Sequence, residues 1–492
     1  MSLLALAGTN SATGGYDIDN SLKLEDDNTE WLSKTTGSDW NRVKWTASFW
    51  VKRSELGATS SNVRFFAASD AAYDFRVRFQ GTGDTLAFYN SDSTGSCSQN
   101  STAVFRDTSA WYHIVAVWDT ANSTAGNRQR LYVNGVEITD FATDTQPAQN
   151  QKSVWGKTDD GSGTVTMGIG AQYNYYSGFV QGYCGYMAEW HWVEGQALSP
   201  TDFGEFDEDT GIWKPKEYEG TYGTNGFYLD FEDASDLGAD SSGNGNHWTK
   251  NNITSANQAT DTPTNNFCTL NVVQASSNNA GGNNEYTEGA TKGKALQESE
   301  MASGTMAVTQ GKWYYECKAF LNSEIMAGWG VPNLWGHHTS NPGYDDYSFA
   351  VHNIGRVYYS GNAFIDLSPS VSFDTNDIVS CAIDIDNGFC YWAKNGTWMN
   401  GGSPTSGSTG TGGFDFQSAS APGNLDIADG DFLIPALRTN YYTNAGILVN
   451  FGGFTTISIS SAESDADGYG TFEYAPPSGY YALCTKNLEE YG

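Results

Sequence analysis

Carboxylates, imidazoles and thiols are the side chains that could carry a reaction, and in this 492-residue chain their spacing assembles no catalytic set. Residues 205–209 read EFDED, so Glu205, Asp207 and Asp209 alternate and would share one side of a strand, where paired carboxylates could serve as general acid and base. Acidic residues are abundant along the whole chain, however, and the run reads as a solvated loop. The six histidines, His113, His191, His247, His337, His338 and His352, lack a triad context: there is no G-x-S-x-G elbow and no cysteine–histidine neighbourhood. His113 and His191 alternate with strand aromatics and read as structural. The glycine-rich run 407–413 (GSTGTGG) lacks the G-K-[ST] ending that reaches phosphates and reads as a flexible loop.

Binding chemistry is better represented. Asp240, Asn244 and Asn246 gather hard oxygens in one turn and would suit a structural Ca²⁺, although Asx-rich turns form for conformational reasons alone; no other cofactor is expected. Sugars stack their C–H faces on Trp and Tyr rings while polar neighbours satisfy the hydroxyls. Two loops offer this: Tyr173, Tyr175 and Tyr176 in the first half, and Trp335 through Tyr347 in the second. The second loop contributes Trp335, His337, His338, Tyr344, Asp346 and Tyr347 as candidate ligand-binding residues.

Those loops need a scaffold, and composition restricts its class. Aromatic residues make up 14% of the chain and charged ones only 17%, with 56 glycines, which favours strands and glycine-punctuated turns over solvated helices. The balance of 25 Lys+Arg against 57 Asp+Glu, a formal net charge of −32, repels nucleic acid and anionic lipid. No apolar run approaches the ~20 residues of a membrane span, and the apolar start lacks a basic flank, so no signal peptide is expected. The seven cysteines form no C-x-x-C pair and read as buried thiols.

Alternation marks strands at residues 45–52 (WTASFWVK), 74–79 (DFRVRF) and 85–89 (TLAFY). Residues 111–119 (WYHIVAVWD) and 130–133 (RLYV) follow, and Asn134-Gly135 turns the chain into 136–138 (VEI) by a type I′ hairpin. This W-x-H-I-x-x-V-x-D run followed by L-Y-V-N-G resembles the laminin-G-type, concanavalin-like jelly roll. Residues 165–170, 179–190, the turn at 197–200 (ALSP), the strand at 226–231 and the turn at 240–246 are similar to later pieces of the same family. That resemblance also brings in laminarinase-type glycoside hydrolases, whose catalytic strand carries Glu-x-Asp-x-x-Glu or Glu-x-Asp-x-Glu. In 205–209 the final Glu is replaced by Asp, and the run follows the 197–200 turn instead of lying in a central strand.

In the second half, residues 311–319 (GKWYYECKA), 326–331 (MAGWGV), 377–384 (DIVSCAID), 389–396 (FCYWAKNG), 434–437 (IPAL) and 449–452 (VNFG) resemble, in order, the motifs of the SPRY domain, with a tight hairpin expected at Asn387-Gly388. Residues 261–271 and 472–488 are similar to connecting segments of virion proteins of marine tailed phages. The expected fold is all-β, two concanavalin-like jelly-roll β-sandwich modules in tandem joined by a polar linker. The expected bounds are 1–256, linker 257–283, SPRY-like 284–453 and C-terminal extension 454–492. The resemblance implies a non-enzymatic structural protein on the surface of a phage virion, tail or capsid, made in the host cytoplasm. It would bind a host-surface glycan or protein, with other virion proteins and further copies of itself in a homo-oligomer or multi-copy array as partners. Neither nucleic acid nor membrane insertion is expected. A capsid decoration protein without receptor role is the second reading, and a glycan-degrading enzyme the third.

Overall fold

The computed structural model describes residues 15–56, 63–81, 83–158, 165–174, 178–273, 285–294, 302–320, 324–332, 341–368, 371–417, 425, 427–428, 430–439 and 446–492. It is 43% strand and 6% helical, and divides into two compact units, Ala12–Thr264 and Asn265–Gly492.

The N-terminal unit is a sandwich of two eight-stranded sheets. At the centre of the first, Lys44–Arg53 pairs with both Trp111–Asp119 and Gly185–Glu194. The second runs through Gly95–Val104, Thr85–Asp92, Asp74–Gln80, Val63–Ser69 and Thr166–Ile169. Alternation along Lys44–Arg53 sends Trp45, Ala47, Phe49 and Val51 into the core, where they meet Phe65, Phe66, Phe75 and Phe88 from the opposite sheet. Trp45 lies edge-on to Phe75 at 5.7 Å, and Phe49 lies 5.4 Å from Phe65, within the range of favourable aromatic pairs. The hairpin between Gln129–Val133 and Val136–Glu137 turns on Asn134 and Gly135, both at positive φ (48° and 78°), which is the type I′ geometry that Asn-Gly encodes.

The C-terminal unit repeats the plan with a nine-stranded and a six-stranded sheet around a second core. Ile378–Asp384 and Phe389–Lys394 pair antiparallel, as expected, with Asp384 opposite Phe389. The turn differs from expectation. It spans four residues, Ile385 to Gly388, closed by Gly388 N–H donating to the Ile385 carbonyl at 3.2 Å, and only Gly388 takes a positive φ. The type I′ turn of this region lies instead at Asn395-Gly396 (φ 48° and 76°), joining Phe389–Lys394 to Thr397–Trp398.

The polar run at 257–283 does not behave as a linker where it is described. Gln258–Ala259 pairs with Ser21–Leu24, and the Asp261 carboxylate is buried against Lys52 at 2.6 Å and the Trp111 indole N–H at 3.0 Å. Thr264 Oγ1 accepts from Ile18 N–H and donates to its carbonyl. On the other side, Phe267 bridges to Cys484 and Cys268 N–H donates to the Leu483 carbonyl. Polar side chains that would leave a free chain solvated serve here as buried hydrogen-bond partners. Residues 454–492 are likewise packed: Tyr481–Ala482 pairs in parallel with Lys312–Phe320, and Phe472, Tyr480, Ala482 and Cys484 cover the outer face of the nine-stranded sheet at Tyr314, Ala382 and Tyr391. All seven cysteines are buried and free.

Candidate functional site

Two consecutive hairpins, Ser348–His352, Arg356–Tyr359 and Ala363–Asp366, form the open end of the six-stranded sheet. Val357 and Tyr359 enter the core, so Arg356 and Tyr358 take the other face, and the register sets two rows across it. One row runs His352, Arg356, Asp366; the other runs Ala350, Tyr358, Phe364. Tyr358 is the hub, with ring centroids 5.5 Å from Tyr344, 5.5 Å from His352 and 5.7 Å from Phe364. Phe364 is 44% exposed, the Arg356 guanidinium lies 4.1 Å from its ring centre, and Arg356 Nε donates to Asp366 at 2.8 Å.

Tyr344 reaches this strip because its loop is tightly organised. Asp345 accepts from Tyr347 N–H at 3.0 Å and from Ser348 Oγ at 2.6 Å, and Ser348 Oγ in turn accepts from Gly343 N–H. Gly343 has φ +85°, and a Cβ there would run into the Tyr358 carbonyl, so glycine is what lets the loop lie on the strand. Asp346 is exposed and accepts from Ser360 Oγ at 2.8 Å. Burial pushes the His352 imidazole below its ordinary pKa, an effect that Glu324 opposes. The strip therefore presents half-buried rings flanked by a guanidinium, two carboxylates and a hydroxyl. Such groups can stack on a sugar or side-chain face and satisfy its polar edges.

Of the residues proposed from sequence, Tyr344 packs its ring, tilted, against Tyr358 in the strip, while Asp346 and Tyr347 belong to its loop; Trp335, His337 and His338 lie outside the described residues. Tyr358, Phe364 and Arg356 were missed. Their signal was present in RVYY and AFID, two alternating runs separated by a Ser-Gly-Asn turn. In the N-terminal unit Tyr173, 37% exposed, stacks on Trp31 at 5.7 Å beside Phe179, whereas Tyr175 and Tyr176 lie outside the described residues.

The remaining candidates are engaged in holding turns and packing. Both Asp240 oxygens accept backbone N–H groups, from Tyr228 and Ser242 on one and Asn246 on the other. The Asn244 and Asn246 amides donate to carbonyls of residues 223–226. The turn is organised by these bonds, and no group of three or more His, Cys, Asp or Glu that could hold a metal occurs among the described residues. Glu205 and Asp207 sit on a surface hairpin, both near Lys214 (3.5 and 3.2 Å). Hydrogen bonds from Thr210 and then Lys214 hold the Asp207 carboxyl down to about 2, too acidic for a general acid near neutrality.

One carboxylate, Glu189, has a more suggestive setting. It sits at a bulge with φ +51°. Its oxygens accept from Tyr16 (3.0 Å) and Tyr228 (2.6 Å), and His191 Nε2 lies 3.4 Å away. His191 itself stacks on Tyr228 at 4.4 Å and bonds to Tyr222 through Nδ1. At 4% exposure, Glu189 serves this buried network and not a cleft.

Residues 26–177 match the family model described as the concanavalin A-like lectin/glucanases superfamily, and residues 312–423 match that of the SPRY domain. Both are jelly-roll folds, and the chain is all-β with two β-sandwich modules in tandem. Similar solved structures include a native heptameric SAP-like pentraxin from Limulus polyphemus, at 14% identity over 38% of this chain and 80% of that one with a TM-score of 0.27. The TRIM65 PSpry domain is 13% identical over 37% of this chain and 91% of that one, TM-score 0.26. Stonustoxin is 13% identical over 37% of this chain and 27% of that one, also with a TM-score of 0.26. No curated protein matches the chain. No helix among the described residues is long and apolar enough to cross a membrane.

Proposed function

We propose that this chain is a non-enzymatic binding protein of a tailed-phage virion surface, whose SPRY-like unit engages a host-cell glycan or protein through the Tyr344–Tyr358–Phe364 strip. The observation that carries the binding part is that strip: contiguous aromatic rings, one of them 44% exposed, edged by Arg356, Asp366 and Asp346. The binding reading is supported by the two matched module types, one of them from a superfamily whose description includes lectins. The virion setting rests on the resemblance of residues 261–271 and 472–488 to connecting segments of phage proteins.

The test is adsorption of the purified chain to host cells and to their extracted surface polysaccharide. Wild type should bind, and Phe364→Ala and Tyr358→Ala should each weaken binding at least fivefold, with circular dichroism unchanged. Failure of the wild type to bind either preparation, combined with a capsid-lattice position in a virion reconstruction, would replace this reading with decoration. Release of reducing sugar that Glu205→Gln abolishes would replace it with catalysis.

A further inference from the structure

The second sheet of the N-terminal unit gathers three arginines on its outer face. Arg64 stands directly opposite Arg78 across the pairing of Val63–Ser69 with Asp74–Gln80, and Arg76 lies two residues from Arg78 on the same face. A bulge after Arg64 makes this possible: Phe65 and Phe66 both enter the core, leaving Arg64 on the far side.

The other buried cations of this unit are each matched with a carboxylate: Lys23 with Glu30 (3.1 Å), Lys52 with Asp261 (2.6 Å), Arg53 with Asp84 (2.9 Å) and Lys157 with Asp70 (2.5 Å). Arg64 is not. It is 3% exposed, its hydrogen bond goes to the neutral side-chain carbonyl of Gln181, and its Nε and Nη1 have no partner among the described residues. Arg76 pairs with Asp74 and lies over the Tyr89 ring at 4.3 Å, yet its Nε and that of Arg78 are also buried with no partner among the described residues. Among the described residues, three guanidinium charges thus face one carboxylate, in a chain whose formal net charge is −32. Burial, and then the charges of Arg78 and Arg76, push the Arg64 guanidinium down to about 8; burial and Arg76 push that of Arg78 to about 10. A desolvated cation with unmade hydrogen bonds is costly, and an anion accepting those bonds would relieve it.

We propose that Arg64, Arg76 and Arg78 form an oxyanion-binding site for a carboxylate or phosphate group carried by a surface glycan. It lies in a different unit from the Tyr344 strip; the oxyanion chemistry stands on the arginines alone, and the glycan as its carrier rests on the proposed function. The guanidinium fork matches both oxyanions with paired N–H donors. Ala67, opposite Arg76, and Ala87, opposite Arg78, place short side chains beside the arginine stems, and the Tyr89 ring borders the site. At about 0.15 M salt, charges beyond roughly 8 Å are screened, so the local arginines outweigh the distant acidic surface.

Calorimetric titration of the full chain at that ionic strength tests this, with inorganic phosphate, an oligogalacturonate and a neutral galacto-oligosaccharide as probes. Wild type should bind at least one of the two anions and not the neutral sugar. Phosphate binding alone identifies a phosphate source; oligogalacturonate binding identifies a uronic-acid glycan. Arg64→Gln and Arg78→Gln should each reduce that affinity at least tenfold. Arg78 is half-buried, so its variant decides the matter if Arg64→Gln does not fold. Binding of neither anion by the wild type, or unchanged affinity in Arg78→Gln, would overturn the site.

Discussion

His113 shows what the tight interior does to a single titratable side chain. Its Nδ1 accepts from the Trp213 indole N–H at 3.0 Å, which assigns the ring proton to Nε2, 2.8 Å from Ser48 Oγ, and Trp50 stacks on it at 4.8 Å. Burial, with a smaller contribution from the charge of His191, pushes the imidazole down to about 3. The unfolded chain takes up this proton near 6.5, so between 6.5 and 3 the unfolded state holds more protons than the folded one. The stability tied to His113 is therefore full above 6.5 and is lost as pH falls toward 3, with a slope of up to about 1.4 kcal/mol per pH unit. His113→Gln, which keeps an acceptor for Trp213, should flatten that slope. Urea unfolding of both chains at pH 7, 6 and 5 measures it, and parallel pH dependences would mean that the ring is not held neutral. The structural reading of His113 was legible from its place among strand aromatics. Its partner was not, because Trp213 lies a hundred residues away and its strand of three residues carries no periodicity.

Long alternating strands were legible element by element: Trp111–Asp119 coincides with the run read from sequence, and Lys44–Arg53, Lys312–Phe320 and Ile378–Asp384 differ from theirs by only a residue or so at either end. What could not be read was the use of polar segments as packing material, since Asp261, Thr264 and Asn266 look the same in a solvated tether as in a buried network. The C-terminal extension is the larger instance. Glu316 has no exposed surface and accepts from Glu473 N–H (3.0 Å), Tyr474 N–H (2.8 Å), Tyr314 Oη (3.0 Å) and Asn450 Nδ2 (3.2 Å), tying the extension to the strand Lys312–Phe320. A chain ending after residue 453 would strip two of those donors from a buried carboxyl whose pKa burial already raises. It would also uncover Tyr314, Ala382 and Tyr391. Such a chain should bind a hydrophobic dye strongly and lose the cooperative thermal transition of the C-terminal unit. A truncated chain with the full-length melting profile and no dye binding would show the extension to be an appendage instead.

At the scale of the whole molecule, the proposed use of so modest a strip for binding would have consequences for how the protein is displayed. Tyr344, Tyr358 and Phe364 can offer two or three stacking contacts at about 0.5–1.5 kcal/mol each, so one copy should hold a glycan only weakly. Copies presented together convert later contacts into intramolecular ones and multiply avidity by about 10²–10⁴ without any new interaction. The acidic surface is consistent with crowding of that kind, because a formal charge of −32 on each copy opposes aggregation while screening at physiological salt lets neighbours stand close. The same substitution should therefore read differently in two assays. Phe364→Ala should cost the isolated chain a factor of about five to ten in glycan affinity, and should cost whole particles bearing the variant a far larger factor in adsorption rate, since each lost contact compounds across the array. Equal losses in the two assays would mean that copies act singly, and normal adsorption by variant particles would remove the strip from attachment altogether.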